Sequence, residues 1–186
     1  YVERSKSFRK WYQQEYEQMS YDIVGPDYMR KQLDMNYIYK GPVLEWYVKI
    51  KMNFEKNYRF FHELIPTKAH IVDLGCGYGM LGYMLTLLSK ERSVLGVDYD
   101  DNKIKVAQNN AIRQQQTKGQ VEFMTSDLNH WSYEQADVYI LADVLHYLPQ
   151  QEQEYVIKQA VRYLNDGGMI IIRDADTQLT KKQNKR

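Results

Sequence analysis

The 186-residue sequence predicts an α/β fold, a doubly wound and mostly parallel sheet preceded by a helical N-terminal extension. From Ile71 onward, short apolar runs alternate with amphipathic stretches, as expected of strands buried on both faces and of the helices that connect them. Residues 1–60 instead hold 9 of the 17 tyrosines and are interrupted at Gly25-Pro26 and Gly41-Pro42, which is typical of helices separated by turns.

Five segments are expected to form strands, because each is a short apolar run bounded by polar or glycine-containing turns. Apolar residues recur at helical spacing from Leu81 to Leu88, and Asp100 or Asp101 is expected to cap the next helix. Asn165–Gly168 supplies a glycine stop before the last strand. The expected strands are His70–Leu74, Val94–Asp98, Val121–Ser126, Asp137–Ala142 and Met169–Arg173.

The length corresponds to about one domain at roughly 150 residues per domain. We expect an aromatic-rich helical cap over residues 1–64, a ligand-binding core over residues 65–178 and a basic tail over residues 179–186. The last cap helix is expected to run from Val43 to Leu64 and to end before Pro66. The chain begins at Tyr1 without a signal-peptide pattern, which suggests a trimmed piece or an excised module.

The composition is that of a globular protein, with 44% apolar residues, 26% charged residues and a net charge of +1. A membrane-spanning helix needs about 20 apolar residues. The longest apolar run, Val138–Ala142, has five, so no membrane span is expected. The single cysteine, Cys76, cannot form an internal disulfide and favours a reducing compartment such as the cytoplasm.

Charge is distributed unevenly along the chain. Residues 61–178 carry 10 basic and 16 acidic side chains, a net charge of −6. Proteins that bind nucleic-acid phosphates usually present a basic stripe over their main site. The acidic core therefore disfavours nucleic acid as a partner.

A glycine-rich turn follows the first expected strand, where Gly75, Gly77 and Gly79 alternate before a helix. Glycine permits a sharp backbone turn and the close approach of a ligand, so this is a candidate binding turn. The segment Gly77–Gly82 also fits the dinucleotide-binding pattern G-x-G-x-x-G. An NAD(P)-dependent oxidoreductase is therefore an open alternative.

Acidic residues stand at the carboxyl ends of the expected strands, with Arg173 as the only nearby cation. Ligands of doubly wound sheets bind at this edge, and a phosphate about 4 Å from a carboxylate would cost a few kcal/mol. A cationic ligand without phosphate, such as S-adenosylmethionine, suits such a turn better. Asp98, 19 residues after Gly79, is suited to bind ribose hydroxyls in either case. The acidic residues are Asp73, Asp98, Asp127, Asp143 and Asp174.

These motifs resemble those of the class I S-adenosylmethionine-dependent methyltransferases over roughly Ile65–Asp176. The resemblance implies a Rossmann-like fold, S-adenosylmethionine as the cofactor and in-line methyl transfer without a metal. The family fold ends with two further strands, but only 13 residues follow Arg173, so we expect those strands to be absent. The four motifs correspond to Val72–Gly79, Gly96–Tyr99, Ser126–Leu128 and Ala136–Leu148.

The resemblance also implies which part of the cofactor each motif residue binds. In the alternative interpretation, Asp73 only caps loop amides, and Tyr99 and Leu128 are simple core residues. The implied cofactor-binding residues are Asp73, Gly75, Cys76, Gly77 and Gly79 for the methionine end, Asp98 for the ribose, Tyr99, Leu128 and Asp127 for the adenine, and Asp143 near the methyl group.

His146 is the candidate catalytic residue, because it follows the fourth strand and imidazole can act as a general base near neutral pH. The alternative is a structural histidine at the start of a helix. Cys76 is interpreted as a small residue that fits a tight loop, since no histidine neighbours it in sequence. No spacing of histidine, cysteine and acidic residues predicts a metal site.

The acceptor is expected to be a small or lipid-like molecule. Ala142–Leu145 lacks the Asn/Asp-Pro-Pro-Tyr/Phe pattern of methyltransferases that act on the amino groups of bases and glutamine. Tyr28, Tyr39 and Trp46 are candidates to line an acceptor pocket, although such aromatic residues also pack helices onto sheets. Tyr37–Tyr47 resembles the lead-in to methyltransferase modules fused behind acyltransferase modules in bacterial lipid or polyene pathways.

Three functional hypotheses follow from the sequence. The first is a methyltransferase, the second is the NAD(P)-dependent oxidoreductase, and the third is a non-catalytic cofactor-binding or assembly module. An open edge beside the fifth strand would also allow pairing with a second copy or a fused module.

Overall fold

The computed structural model describes residues 57–113 and 120–174, together with Tyr37, Leu44 and Tyr47. The chain divides into two compact units, Tyr1–Phe61 and His62–Arg186. In the first unit, Tyr37 and Leu44 are buried and Tyr47 is exposed.

Five parallel strands form the sheet of the second unit, in the order β3-β2-β1-β4-β5. β1 lies at the centre, and successive connections run outward from it in both directions. This is the doubly wound, Rossmann-like arrangement that the sequence predicts. No sixth strand occurs among the described residues, and residues 175–186 lie outside them. The strands are β1 Ala69–Leu74, β2 Arg92–Asp98, β3 Val121–Thr125, β4 Ala136–Ala142 and β5 Leu164–Arg173.

The described helices occupy the expected connections. Asp100 caps the helix after β2, because its Oδ1 accepts hydrogen bonds from the backbone N–H groups of Asn102 at 3.0 Å and Lys103 at 3.3 Å. None of the described helices is long and apolar enough to cross a lipid bilayer. The helices are α1 Asn57–Leu64, α2 Met80–Leu88, α3 Asp101–Arg113 and α4 Gln150–Arg162, with a 3-10 turn at Leu145–Tyr147 after β4.

The expected loop Asn165–Gly168 belongs to β5, so the predicted start of this strand is wrong. The register between β4 and β5 shifts between Ala136 and Val138, as in a β-bulge. Gly167 has a φ of +77°, and the Asn165 amide donates a 2.7 Å hydrogen bond to Asp137 Oδ1. The glycines therefore let the strand bulge instead of ending it.

Arg92, at the amino end of β2, is the largest fully buried side chain in the described residues, with 1% of its surface exposed. Its guanidinium donates hydrogen bonds to the carbonyls of His62 at 3.1 Å, Ile65 at 2.6 Å, Pro66 at 2.9 Å and Leu85 at 3.2 Å. These carbonyls lie in or just after the last turns of α1 and α2. One buried cation thus satisfies acceptors that helix ends leave unpaired.

Replacing Arg92 with methionine is expected to lower the free energy of unfolding by about 3 kcal/mol or more, because four buried or partly buried carbonyls lose their donor. Urea unfolding followed by circular dichroism measures this change. The control Arg162→Met removes an exposed arginine and should cost no more than about 1 kcal/mol. Equal losses in the two variants would contradict the role of Arg92.

His62 gives the fold a pH dependence. Burial and the neighbouring Arg92 lower the pKa of His62, whose Nδ1 accepts a 2.9 Å hydrogen bond from the guanidinium. The unfolded chain therefore binds this proton more readily than the folded protein, and stability is lost as pH falls through about 6.5. Between about pH 7.5 and pH 5, the wild-type protein should lose more stability than His62→Gln. Parallel pH–stability curves from urea unfolding would contradict this.

Candidate functional site

The glycine turn links the carboxyl end of β1 to the start of α2. Gly75, Gly77 and Gly79 have φ values of +78°, +57° and +74°, the left-handed region that side chains rarely adopt. A Cβ at Gly75 would lie 2.4 Å from Val144 Cγ2, and one at Gly79 would lie 2.4 Å from the Phe123 ring. A Cβ at Gly77 would meet nothing within 4 Å. Gly77 is therefore the glycine of this turn that leaves room for a ligand.

The turn is fastened to the carboxyl end of β2. The N–H groups of Gly75 and Cys76 donate to the Val97 carbonyl at 2.7 Å and 3.1 Å. The N–H of Gly77 donates to Asp98 Oδ2 at 2.7 Å. Three successive amides are thus committed to the protein, whereas a dinucleotide-binding turn uses its glycine-rich backbone to approach a pyrophosphate.

Two buried carboxylates flank this turn, Asp73 on β1 and Asp98 at the end of the adjacent β2, with 3% and 5% of their surfaces exposed. Asp98 Oδ1 also accepts a 2.9 Å hydrogen bond from the Asp100 amide. Burial, followed by the charges of Asp73 and Asp98, raises the pKa of the Cys76 thiol well above its usual value. The thiol therefore stays protonated, which supports its interpretation as a packing residue.

The sequence analysis expected Arg173 to be the only cation near this edge. The structure places a second cation there, Lys103. The Lys103 ammonium lies 3.7 Å from Asp100 Oδ2. Burial lowers the pKa of Lys103, but the charges of Asp98 and Asp100 outweigh that effect and raise it. Lys103 lies on α3 and not at a strand end, and its i,i+3 spacing from the capping Asp100 is the signal that could have revealed it.

The residues that the resemblance assigns to adenine follow β2 and β3. Tyr99 is 75% exposed, so it is not a core residue, whereas Leu128 is buried in the core cluster. Asp127 accepts hydrogen bonds from the Asn129 amide at 2.9 Å and from His130 Nδ1 at 3.2 Å. The Asn129 amide, followed by His130, lowers the pKa of Asp127, which is therefore ionised at neutral pH.

Asp143 directly follows β4 and is the one described non-glycine residue with a positive φ, +57°. Its N–H donates a 2.8 Å hydrogen bond to the Arg173 carbonyl, and its carboxylate pairs with the Arg173 guanidinium. Two contacts with β5 thus hold a backbone conformation that is uncommon for aspartate. The structure places Asp143 at the strand-end edge, in an ion pair.

The structure joins His146 to Asp174, which the sequence analysis placed only among the strand-end acids. His146 Nδ1 lies 2.5 Å from Asp174 Oδ1, and the His146 backbone N–H donates a 3.0 Å hydrogen bond to Asp174 Oδ2. The two residues follow β4 and β5, which are neighbours in the sheet. Knowing that these strands pair is the signal that would have linked them.

Tyr28, Tyr39 and Trp46, the candidate acceptor-pocket residues, lie outside the described residues. Among the described side chains, no group of three or more histidine, cysteine and acidic residues could hold a metal ion.

Gly96, in the middle of β2, makes close packing behind the turn possible. A Cβ there would lie 2.6 Å from the Phe123 ring and 2.8 Å from Cys76 Sγ. We expect Gly96→Ala to lower the free energy of unfolding by about 1–3 kcal/mol, measured by urea unfolding, because the added methyl overpacks this contact. Adding Phe123→Leu should recover part of the loss. A Gly96→Ala protein as stable as wild type would contradict this packing.

Comparison with known proteins identifies the family. A family model described as a methyltransferase domain matches residues 66–186. The chain therefore belongs to this methyltransferase family, in which S-adenosylmethionine is the methyl donor.

Curated proteins also match the chain. Carboxy-S-adenosyl-L-methionine synthase from Campylobacter lari is 25% identical over 137 residues, covering 69% of this chain and 57% of that protein. The chain spans about half the length of the curated relatives that it matches.

Solved structures share the fold. PH0226 from Pyrococcus horikoshii OT3 superposes with a TM-score of 0.64 at 23% identity, covering 73% of this chain and 63% of that one. CalO1, a methyltransferase in calicheamicin biosynthesis in its SAH-bound form, superposes with a TM-score of 0.56 at 14% identity, covering 75% of this chain and 43% of that one.

Proposed function

We propose that the chain transfers a methyl group from S-adenosylmethionine to a small-molecule or lipid-like acceptor by in-line displacement. The observation that carries this proposal is the pair of buried carboxylates, Asp73 and Asp98, beside a glycine turn with open space at Gly77. The cofactor, when bound, supplies a methyl carbon activated by a positively charged sulfur.

The charges of the proposed binding residues fit S-adenosylmethionine. Asp73 and the backbone carbonyls of the glycine turn suit the methionine end, whose ammonium and sulfonium outnumber its one carboxylate and which carries no phosphate. Each Asp98 oxygen accepts one backbone N–H, and a carboxylate oxygen has a second lone pair that can accept from a ribose hydroxyl. Tyr99, Asp127 and Leu128 are proposed for the adenine, on the motif resemblance.

The same glycine turn and carboxylates argue against the NAD(P)-dependent oxidoreductase. Its pyrophosphate would meet buried carboxylates, and the amides of Gly75, Cys76 and Gly77 already donate to Val97 and Asp98. The assignment of the chain to a methyltransferase family points the same way.

The protein's own contribution to methyl transfer is alignment and the exclusion of water. Val144, from the segment after β4, would overlap any side chain at Gly75, so this segment lies directly against the glycine turn. An acceptor bound beside that segment would approach the methionine end of the cofactor. The small-molecule class is favoured by the acidic core and by the absence of the Asn/Asp-Pro-Pro-Tyr/Phe pattern.

Isothermal titration calorimetry tests the cofactor. S-adenosylmethionine and S-adenosylhomocysteine should bind and NADH should not, and Asp98→Asn should weaken both adenosyl ligands about 10- to 100-fold, because charged hydrogen bonds contribute about 1.5–3 kcal/mol. Asp101→Asn is the matched control, since Asp101 is an exposed carboxylate three residues further along. NADH binding alone, or equal affinities in wild type and Asp98→Asn, would overturn the proposal.

Turnover separates an enzyme from a non-catalytic binding module. Protein incubated with methyl-labelled S-adenosylmethionine and a set of small hydroxyl, thiol and amine compounds should transfer label to an extractable product. Cofactor binding without transfer to any compound would favour the binding module.

A further inference from the structure

The side chains of His146 and Asp174 form a hydrogen-bonded pair beyond the carboxyl ends of β4 and β5. We propose that His146 is the general base of the reaction, that Asp174 is its positioning residue, and that the acceptor atom is therefore a hydroxyl oxygen. This inference rests on the proposed methyltransferase function and specifies the class of its substrate.

Asp174 holds His146 at two points. One carboxylate oxygen lies 2.5 Å from the ring nitrogen Nδ1, and the other accepts the backbone N–H of the same histidine at 3.0 Å. An ionised carboxylate can only accept hydrogen bonds, so Nδ1 carries the proton when the ring is neutral. Nε2 is then the basic nitrogen, and it makes no hydrogen bond to any described residue.

The accessibility of the pair fits a base that must reach a ligand. The His146 side chain is 26% exposed and that of Asp174 is 17% exposed. The ring is therefore partly shielded from water, yet it can be approached. Asp174, the more buried partner, can stabilise the imidazolium that forms when Nε2 takes a proton.

The position of His146 relates it to the proposed cofactor turn. His146 lies in the 3-10 turn Leu145–Tyr147, two residues after Val144, which packs against Gly75. The Tyr147 amide donates a 3.1 Å hydrogen bond to the Val144 carbonyl, which closes this turn. The base and the cofactor turn are thus connected by a short, hydrogen-bonded segment.

The other three histidines, all among the described residues, lack this combination. His62 Nδ1 accepts a hydrogen bond from the buried Arg92 guanidinium. His70 has both ring nitrogens engaged, Nδ1 by Ser93 at 2.9 Å and Nε2 by Glu134 at 2.8 Å, and it lies at the amino edge of the sheet. His130 is exposed, and its Nδ1 lies 3.2 Å from an exposed carboxylate three residues earlier. His146 alone joins a two-point clamp to the ligand-binding edge.

A hydroxyl acceptor is the class that needs such a base. A thiol ionises near neutral pH, but a hydroxyl oxygen is a weak nucleophile until its proton leaves. An alkyl ammonium also has to lose a proton, but it loses it before the attack and then reacts as a neutral amine, so the base is not needed during methyl transfer. In the balanced step, the oxygen forms a bond to the methyl carbon while the carbon–sulfur bond breaks. The electron pair of that bond stays on sulfur, and the hydroxyl proton moves to Nε2 and then to water.

Nitrogen-15 NMR of the histidine rings tests the clamp without turnover. The wild-type protein should show the Nδ1–H tautomer at His146, and Asp174→Ala should shift this ring toward the Nε2–H tautomer. Asp166→Ala, on the other end of β5, is the matched control and should leave the tautomer unchanged. The Nε2–H tautomer in the wild-type protein would overturn the proposal.

Paired acceptors test the base itself, with 2-naphthol and 2-naphthalenethiol as probes and methyl-labelled S-adenosylmethionine as the donor. His146→Gln should slow transfer to the naphthol about 100-fold or more and should change transfer to the thiol by only a few-fold. Equal losses on both probes, no loss on the naphthol, or wild-type transfer to the thiol alone would overturn the proposal.

The two proposals fail separately. If the methyltransferase proposal is wrong, S-adenosylmethionine will not bind in calorimetry, whichever tautomer His146 adopts. If neither naphthalene compound is methylated, the tautomer result decides for or against the clamp. Binding of S-adenosylhomocysteine by Asp174→Ala in calorimetry would show that this variant remains folded.

Discussion

The site depends on the hydrogen bonds between the glycine turn and the last two residues of β2. Val97 and Asp98 accept three consecutive N–H groups of the turn, and this fixes its path over the sheet. The left-handed φ values and the absence of a side chain at Gly96 are conditions for that contact, because a Cβ at Gly96 would lie only 2.8 Å from Cys76 Sγ.

The same contact also determines the charge of the binding edge. By drawing the turn onto β2, it encloses Asp73 and Asp98 with little exposure to water, so their charges act over short distances. Burial and these two charges together raise the pKa of the Cys76 thiol, and the charge of Asp98, together with that of Asp100, raises the pKa of the Lys103 ammonium. An edge of this kind favours cations and disfavours phosphates.

The alternation of apolar runs and amphipathic stretches was enough to predict four strands within two residues of their observed bounds, and the α3 cap. The same reasoning failed for the start of β5, because a glycine pair such as Gly167 and Gly168 is compatible both with the end of an element and with a bulge inside a strand. The buried Arg92 binds backbone carbonyls, which have no sequence signature. The pairing of His146 with Asp174 requires the strand order, which local patterns do not contain.

The carbonyls that bind Arg92 give the methyltransferase domain a physical beginning that differs from the first residue of the family match. The family match starts at residue 66, but the guanidinium also depends on the carbonyls of His62 and Ile65. A fragment cut at residue 66 would keep every cofactor motif and would leave a buried cation short of acceptors. We therefore expect a fragment that keeps this buried site complete to begin at or before His62.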